Sequence, residues 1–293
     1  MNWDFKQWSA LAAAVDCGSF EQAAVQLNIT ASAVSKRIRE LEETAGAVLL
    51  TRARPCRPTT EGQRLLRYWR QMESLQHALE NELSQQPAVL SLAVNHDSLD
   101  TWLLPVLQQT AASEQWLLDL QAEDQDYTRM LLEQGRVMAA VSSETEAIRG
   151  CEVHPLGSLR YRLTASPAFA ARYFSDGLTP AALRRAPLLV FNRKDSLQTD
   201  FLRQYLNADA AMCPTHYIPS SHAFFEAARM GMGYGMLFDQ QLQNRPDCEW
   251  VDLCPQHYMD VPLFWHCWQV QPPKLQKLRQ MVQEAAKAYL TAV

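Results

Sequence analysis

Apolar residues between positions 8 and 41 recur at helical spacing in three consecutive segments. Residues at i, i+3, i+4 and i+7 share one face of an α-helix, so each segment is predicted to be amphipathic. The three apolar stripes are Trp8, Leu11, Ala12 and Val15; Phe20, Ala23, Ala24 and Leu27; and Val34, Ile38 and Leu41. Only Asn28-Ile29-Thr30 lies between the second and third helical segments, which predicts two helices that meet at a corner and pack on the first.

The third helix is predicted to have a polar face opposite its apolar stripe. Thr30 is expected to cap its N-terminus, with Ile29 and Val34 at the spacing of a hydrophobic staple. Hydroxyls and long cations on the outward face can donate hydrogen bonds to phosphates and to base edges in the major groove of DNA. A solvated face without a partner is the alternative. The candidate DNA contacts on this helix are Thr30, Ser32, Ser35, Lys36, Arg37 and Arg39.

The segment that follows, residues 49–62, supports the DNA-binding interpretation. Its prolines exclude a helix interior, and its cations can lie along a phosphate backbone as a wing does. These cations are Arg52, Arg54 and Arg57. Residues 30–70 hold nine Lys and Arg against four Asp and Glu, a local charge of +5, although the whole chain carries −5. Positive charge gathered in one region allows an acidic protein to bind DNA.

A long helix is predicted for residues 60–86. Thr60 and Gln63 have the spacing of a capping box. Side chains that then alternate four and three apart form a coiled-coil seam. The seam consists of Leu65, Trp69, Met72, Gln76, Leu79 and Leu83. It can pack against its own domain or against the same helix of a second subunit, and the second arrangement would place two recognition helices on a two-fold DNA site.

From residue 88 the pattern changes to alternating strands and helices. Near-continuous apolar runs such as VLSLAV are typical of buried parallel strands. Two series of such units predict an α/β fold with two doubly wound lobes and a ligand cleft between them, and a final helix from about Lys274 to Leu290 that returns to the first lobe. The predicted domains are residues 1–59, 60–86 and 87–293, and the last divides into lobes 87–163 plus 265–293 and 164–264.

The predicted effector site lies where helices begin after strands. Backbone N–H groups and the helix dipole at such a point favour an anion. Ser98 is expected to cap one of these helices, and Ser220 or Ser221 begins another in the second lobe. Simple capping is the alternative role for each serine. Carboxylates near strand ends could bind a cation, and they are Asp97, Glu123, Asp124, Glu144 and Asp195.

Composition and motifs restrict the function classes. There is no uncharged apolar run of 18 residues and no signal-peptide pattern at the N-terminus, so we expect a soluble cytoplasmic protein without a membrane partner. No catalytic residue, metal site or cofactor is predicted, because phosphate loops, GxSxG and HExxH motifs are absent. Seven cysteines argue against a disulfide framework. Cys248 and Cys254 leave a thiol redox switch as an alternative, and an amino-acid-binding enzyme is a more distant one.

Motifs across the first 65 residues resemble the signature of the LysR-type transcriptional regulators. The matching runs are Phe20-Glu-Gln-Ala-Ala, Thr30-Ala-Ser-Ala-Val-Ser-Lys-Arg-Ile, Leu41-Glu, Leu49-Leu-Thr-Arg and Pro58-Thr-Thr-Glu-Gly. One departure is Ala31, where many members carry Gln. The resemblance implies a winged helix-turn-helix, a linker helix and a bilobed effector domain similar to periplasmic solute-binding proteins. It also implies a homodimer or homotetramer on double-stranded DNA, a small-molecule co-effector, and RNA polymerase as a further partner.

The effector region resembles the ArgP/LysG-like branch of that family, which controls exporters of basic amino acids. The resemblance rests on residues 90–105, 121–124, 140–142 and 220–221, while residues 192–195 depart from it. It implies lysine or arginine as effector. We expect its carboxylate at Ser98 and at Ser220 or Ser221, where helix N-termini supply N–H groups, and its cationic end at Glu123 or Asp124, which close the second strand. Another metabolite is the alternative effector. The predicted effector-binding residues are Asp97, Ser98, Glu123, Asp124, Ser142, Asn192, Ser220 and Ser221.

Overall fold

The N-terminal region is a three-helix core followed by a two-stranded wing. The computed structural model describes residues 3–51, 53–112, 115–122, 125–243, 245 and 247–292. The first elements are α1 (Phe5–Asp16), α2 (Phe20–Gln26), α3 (Ala31–Ala45), β1 (Leu50–Thr51) and β2 (Arg57–Pro58). The three predicted apolar stripes meet in one buried cluster, and Thr30 caps α3 by accepting a hydrogen bond from the backbone N–H of Ala33. The antiparallel pair β1–β2 forms the wing.

Helix α4 (Thr60–Ser84) follows the wing directly. The predicted capping box at Thr60 is wrong by one residue, because Thr59 is the N-cap and its hydroxyl accepts a hydrogen bond of 3.1 Å from the N–H of Gly62. Trp69 is only 7% exposed and packs against Trp8 with 6.1 Å between the ring centroids. The first part of the predicted seam therefore packs on its own domain, because α1 has an apolar surface that α2 and α3 leave open.

The remaining chain forms the effector domain. Its helices and strands, in order, are β3 (Ala88–Val94), α5 (His96–Leu99), α6 (Leu104–Ala111), β4 (Trp116–Ala122), α7 (Gln125–Glu133), β5 (Ala139–Ser142), β6 (Cys151–Ala165), α8 (Pro167–Tyr173), α9 (Pro180–Leu183), β7 (Leu188–Val190), α10 (Leu197–Leu206), β8 (Thr215–Tyr217), α11 (Ser221–Arg229), β9 (Gly235–Phe238), α12 (Asp239–Gln243), β10 (Val251–Asp252), β11 (Met259–Trp268) and α13 (Pro273–Tyr289). The α/β prediction is confirmed, and α13 lies within one residue of its predicted bounds.

Two long antiparallel strands, β6 and β11, connect the lobes. The large sheet has the order β10-β6-β11-β5-β3-β4, and β9 also pairs with β6. In lobe I, β3 pairs in parallel with β4 and β5, and in lobe II, β7 pairs in parallel with β8. The prediction of a purely doubly wound second lobe is therefore incomplete, because β9 and β10 run antiparallel to β6.

The predicted helix start at Ser98 is wrong. The chain turns into α5 directly after β3, with Asn95 as the N-cap, and Ser98 lies inside this single turn. A second helix, α6, begins only at Leu104. The reason is tertiary: the first turn after β3 is held by contacts of Asp97 that are described below. Among the described residues, no helix is both long and apolar enough to cross a lipid bilayer.

Candidate DNA-binding surface and effector cavity

The outward face of α3 is polar and open to solvent. Ser32, Lys36 and Arg39 are exposed, and Ser35 and Arg37 are partly exposed on its flanks. The Thr30 hydroxyl lies 2.9 Å from the Ser32 hydroxyl in addition to its capping bond. The stripe on the opposite side of the helix is buried in the three-helix core, so the outward side chains have no packing role and are free to contact a duplex.

Few ion pairs compete for these cations. Lys36 lies 3.8 Å from Glu40 in a solvent-exposed i,i+4 pair, which stabilises a helix by only about 0.3–0.5 kcal/mol. In the wing, Arg54 and Arg57 are exposed, and Arg54 has a contact of 3.5 Å with Glu21. Arg52 lies outside the described residues. Arg54 of the wing therefore contacts α2, the helix that precedes α3, and Arg54 and Arg57 both remain exposed to solvent.

A cavity of about 430 Å³ lies between the lobes of the effector domain. It forms beyond the carboxyl ends of β3 and β7, which is the usual position for ligands in open α/β sheets. Lobe I supplies Asp97 and Tyr127, and lobe II supplies Asn192, Asp195 and Ser221. The rings of His96 and Phe191, one from each lobe, approach to 5.6 Å between centroids.

Asp97 connects the two lobes inside this cavity. One carboxylate oxygen accepts a hydrogen bond of 2.5 Å from the Tyr161 hydroxyl on β6. The other accepts one of 2.5 Å from the hydroxyl of Ser221, the first residue of α11. The side-chain amide of Gln241 donates to the same Ser221 oxygen at 3.0 Å. The arrangement orders a carboxylate, two hydroxyls and a helix N-terminus around one point of the cavity wall.

The Asp97 carboxylate is bonded by hydroxyls rather than by a cation, although Lys194 also lines the cavity. Burial raises the pKa of the Asp97 carboxyl, hydrogen bonds from Ser221 and Tyr161 oppose that rise, and the negative charges of Asp100 and Asp195 add to it. In the part of the chain that the structure describes, neither a Lys nor an Arg forms an ion pair with Asp97. A positive group entering the cavity would therefore find an ordered and uncompensated carboxylate.

Acidic side chains also organise the wall of lobe II. Asp195 accepts hydrogen bonds from the backbone N–H groups of Phe191 (3.2 Å) and Leu197 (3.0 Å). Asn192 accepts from the N–H of Lys194 and of Asp195 through its side-chain oxygen. These bonds fix the loop between β7 and α10. Asp200, on the first turn of α10, accepts a bond of 2.6 Å from the Ser196 hydroxyl and also lines the cavity.

The structure separates the predicted effector residues into three groups. Asp97, Asn192 and Ser221 line the cavity. Ser98, Ser142 and Ser220 do not: Ser98 is completely buried, Ser142 accepts a bond from the N–H of Glu144, and Ser220 caps α11 by accepting from Ala223. Glu123 and Asp124 lie outside the described residues.

Sequence reasoning missed Tyr161 and Gln241. Both contact the site from elements distant in the chain, β6 and α12, and neither lies at the helix starts and strand ends from which the site is predicted. A buried tyrosine on a strand gives no local signal for a hydrogen bond to a carboxylate. Asp97, whose bonds these residues support, was among the predicted acids.

Within the ranges that the structure describes, neither the cysteines nor a mixed cluster of possible metal ligands has the surroundings of a reactive thiol or an open metal site. Among the described residues, Glu152, His154 and Cys267 bring ligand atoms within 4.8 Å of one another. The Arg279 guanidinium contacts Glu152 at 3.4 Å and His154 at 3.0 Å, so a cation of the protein already serves this cluster. All seven cysteines are free, and burial raises the pKa of the Cys254 thiol, which disfavours the reactive thiolate.

Comparisons with known proteins agree with this architecture. Residues 5–63 match the bacterial regulatory helix-turn-helix protein of the lysR family, and residues 84–287 match the LysR substrate binding domain. The transcriptional regulator LysG of Mycobacterium bovis is 41% identical over 289 residues, covering 97% of this chain and 93% of the relative.

Two solved structures are similar over the whole length. The crystal structure of ArgP from Mycobacterium tuberculosis has a TM-score of 0.91 at 39% identity and covers 100% of both chains. Full-length LysG from Corynebacterium glutamicum with bound effector Arg has a TM-score of 0.85 at 32% identity, covering 99% of this chain and 100% of that one.

The chain belongs to the LysR family of transcriptional regulators. It consists of a DNA-binding winged helix-turn-helix, a linker helix and an effector-binding domain. The predicted fold class and the prediction of a regulator rather than an enzyme are confirmed by these relatives.

Proposed function

We propose that the effector of this regulator is a basic amino acid, arginine or lysine, bound in the cavity between the lobes. The observation that carries the proposal is Asp97, an ordered carboxylate that faces a ligand-sized cavity without a cationic partner in the described ranges. The relative from Corynebacterium glutamicum, at 32% identity, is a structure with bound effector Arg, which supports the same ligand class here.

The amino acid head group fits the surroundings of Asp97. The α-ammonium and α-carboxylate of an amino acid are attached to the same carbon, and the protein correspondingly places the Asp97 carboxylate beside the N-terminus of α11. The α-ammonium would pair with Asp97, and the α-carboxylate would accept hydrogen bonds from the first backbone N–H groups of α11, which begins at Ser221. The Ser221 hydroxyl keeps its single proton in the bond to Asp97. The helix start at Ser221 replaces Ser98 as the site of the carboxylate, because Ser98 does not line the cavity.

The distal cation of the ligand requires a second acidic group. Asp200 and Asp195 line the cavity from lobe II, and Asp195 is near enough to Asp97 for their charges to repel. A ligand with two positive groups relieves repulsion between carboxylates of facing lobes, whereas a neutral amino acid does not. Glu123 and Asp124, at the end of β4, stay predicted partners for this end of the ligand.

Ligand binding regulates only if it favours one arrangement of the domains. A tenfold preference for one conformation corresponds to about 1.4 kcal/mol, which is comparable to one charged hydrogen bond. Closure of the lobes around the ligand supplies contacts from both lobes at once. The regulated genes would include an exporter of basic amino acids, in a cytoplasmic setting and with RNA polymerase as the partner at the promoter.

The exposed part of α4 supports assembly into a homodimer, with pairing of effector domains as the route to a tetramer. Met72, Leu79 and Leu83 are 39%, 57% and 78% exposed, and they continue at the four-and-three spacing of the predicted seam. Apolar side chains in a coiled-coil register are stabilised by a second helix. The same helix of a second subunit supplies an identical stripe and gives two recognition helices for a two-fold site.

Calorimetry on the full-length protein tests the effector. L-arginine and L-lysine are titrated against wild type, Asp97→Asn and Ser221→Ala, with L-citrulline and L-norleucine as ligands that lack the distal charge. We expect binding of one or both basic amino acids, at least tenfold weaker binding by Asp97→Asn, and no comparable binding of the neutral analogues.

Asp119→Asn is the matched control, because Asp119 is an exposed acid on β4 that does not line the cavity. It should keep wild-type affinity. Absence of heat with both basic amino acids, or equal affinity of wild type and Asp97→Asn, would leave another metabolite as the effector.

A further inference from the structure

The effector domain contacts the linker helix at the C-terminal end of α7. Gly135 ends this helix with a left-handed backbone (φ +69°), and a Cβ added there would lie 3.2 Å from the Cα of Arg67 and 3.3 Å from the Cδ of Arg70. Glycine is needed both for the backbone conformation and for this close approach. The loop after α7 therefore lies directly on the surface of α4.

One arginine at this contact joins three parts of the chain. The Arg70 guanidinium donates to the carboxylate of Asp16, the last residue of α1, at 2.5 Å. Its other terminal nitrogen donates to the backbone carbonyl of Gln134 in the effector domain. The Arg70 side chain is 13% exposed, whereas that of Asp16 is 50% exposed. A planar guanidinium with several fixed N–H groups can hold two acceptors at a defined angle, which an ammonium cannot.

Further contacts extend the interface along α4. Arg67 is buried beneath Gly135, and the Ser74 hydroxyl lies 3.8 Å from the sulfur of Met138. Residues 67, 70 and 74 are spaced three and four apart, so they form one face of the helix. This face differs from the exposed stripe of Met72, Leu79 and Leu83, and both can be occupied together.

Helix α7 connects this interface with the effector cavity. Tyr127, near its first turn, lines the cavity between the lobes and also lines the cleft between α4, α1 and the effector domain. Leu131 and Leu132 are buried against the sheet of lobe I, so α7 moves with that lobe as a rigid element. A displacement of lobe I at the cavity would therefore also displace Gln134 and Gly135 at the other end of the helix.

We propose that Arg70 is the positioning residue through which the state of the effector cavity reaches the DNA-binding domain. Its bond to Gln134 depends on the position of lobe I, and its bond to Asp16 holds the C-terminal end of α1. The direction of regulation rests on the proposed function, but the coupling itself does not: binding of DNA and the position of α7 affect each other by the same free energy in either direction.

The test is amide hydrogen exchange of the full-length protein with and without duplex DNA that the wild type has selected from a random pool. We expect DNA to change exchange in residues 127–138 by about threefold or more in wild type, an effect size within the usual range of coupling energies. Arg70→Gln should abolish most of this change, and Arg70→Lys should restore only part, because it retains charge without the planar fork. Asp16→Asn weakens the other bond of the Arg70 guanidinium at a half-exposed site, and it should also reduce the DNA-induced change in exchange.

Arg149→Gln is the matched control, since Arg149 is an exposed cation of lobe I that lines neither the effector cavity nor the cleft beside Arg70, and it should behave as wild type. A role limited to stability would lower the melting temperature of Arg70→Gln and leave the DNA-induced change intact, which would overturn the proposal. Absence of any DNA-induced change in the wild type would overturn it too. A second titration, of DNA with and without L-arginine, separates the proposed effector from the proposed role of Arg70. No effect of arginine on DNA binding by the wild type refutes the effector, while the hydrogen-exchange result still tests the role of Arg70.

Discussion

The recognition face of α3 and the effector cavity are built in opposite ways. The first consists of side chains from 15 consecutive residues that point into solvent and have few partners. The second collects side chains from α5, β6, α10, α11 and α12, and its central residue, Asp97, bonds to residues 64 and 124 positions away. The recognition face is a property of one helix, whereas the cavity exists only in the complete domain.

On the recognition face, a substitution can change DNA binding without changing the stability of the fold. In the effector cavity, one substitution changes both ligand binding and stability. Removing Lys36 or Arg39 leaves no buried polar group without a partner, so the fold should not register the change. Removing the Asp97 carboxylate charge alters hydrogen bonds to Tyr161 and Ser221 and changes the electrostatics of a buried site. Substitutions that affect binding and stability together, or binding alone, therefore test the comparison.

The largest effect is expected from Leu79→Asp in α4. This substitution lies outside the recognition face but should weaken DNA binding by weakening dimerisation. Full burial of a leucine is worth about 1.5–3 kcal/mol, and a two-fold interface contains the residue twice, so dimerisation should weaken by roughly 3–6 kcal/mol. DNA affinity should fall sharply because only one recognition helix remains per particle. Sedimentation and DNA titration measure the two consequences.

Val270→Asp is the control for the dimerisation prediction, because Val270 is an apolar residue 59% exposed in the loop before α13 and does not belong to α4. It should sediment as the wild type does. A monomeric wild type at working concentration would show that the exposed stripe of α4 is not a dimer interface.

Alanine substitutions of Lys36 and Arg39 should each weaken binding of the selected DNA by about 1–3 kcal/mol with unchanged thermal unfolding. Arg54→Ala in the wing should weaken binding of all sequences and reduce the slope of log K against log salt by about one. Salt titrations of the three variants on specific and unrelated duplexes measure both effects. Equal affinities for wild type and variants would remove α3 as the reading helix.

Gly62→Ala should have the opposite pattern to these alanine substitutions: it should lower stability and leave DNA binding unchanged. In an open helix alanine is favoured over glycine by about 1 kcal/mol, but here a Cβ would lie 2.0 Å from the carbonyl oxygen of Leu49, and relieving such overpacking costs about 1–3 kcal/mol. Urea unfolding should show a destabilised DNA-binding domain whose folded form binds DNA normally. Gly46→Ala is the comparison, since nothing lies within 4 Å there and only its φ of +67° opposes alanine.

The same contrast explains what the sequence could predict. The three helices, the Thr30 cap and the polar face of α3 follow from local spacing, so they were predictable residue by residue. Periodicity does not identify which surface receives a stripe, and Trp69 therefore turned out to pack on Trp8. The cavity needed contacts across the lobes: Asp97 was a candidate, but Tyr161 could not be identified from its neighbours.

The wrong prediction of an N-cap at Ser98 shows why helix caps in the effector domain are harder to predict from sequence than the cap at Thr30. Hydroxyl residues near a strand end satisfy the sequence rule for an N-cap at several positions. The choice between them depends on where the chain must turn to place Asp97 against Tyr161 and Ser221, and that requirement comes from β6 and α11. Thr30 has Asn28 and Ser32 as competitors, but the choice is local: Asn28 has a left-handed backbone (φ +58°), and the staple spacing of Ile29 and Val34 selects Thr30.

The smallest predicted effect is the pH dependence that Asp97 imposes on the effector domain. Burial raises its pKa from an ordinary value of 3.8, so the folded protein binds this proton more tightly than the unfolded chain does. The associated stabilisation is complete below pH 3.8 and is lost as pH rises through the raised pKa. Binding of a cationic amino acid has the opposite dependence, because it requires the ionised carboxylate: affinity should increase with pH over the same window, and binding should release protons. Each unit of pKa elevation corresponds to about 1.4 kcal/mol, or tenfold in affinity. Calorimetry in buffers of different ionisation enthalpy measures the released protons, and Asp97→Asn should release fewer, whereas Lys36→Ala should match the wild type. Proton uptake on binding, or identical pH profiles for wild type and Asp97→Asn, would show that the ligand cation does not pair with Asp97.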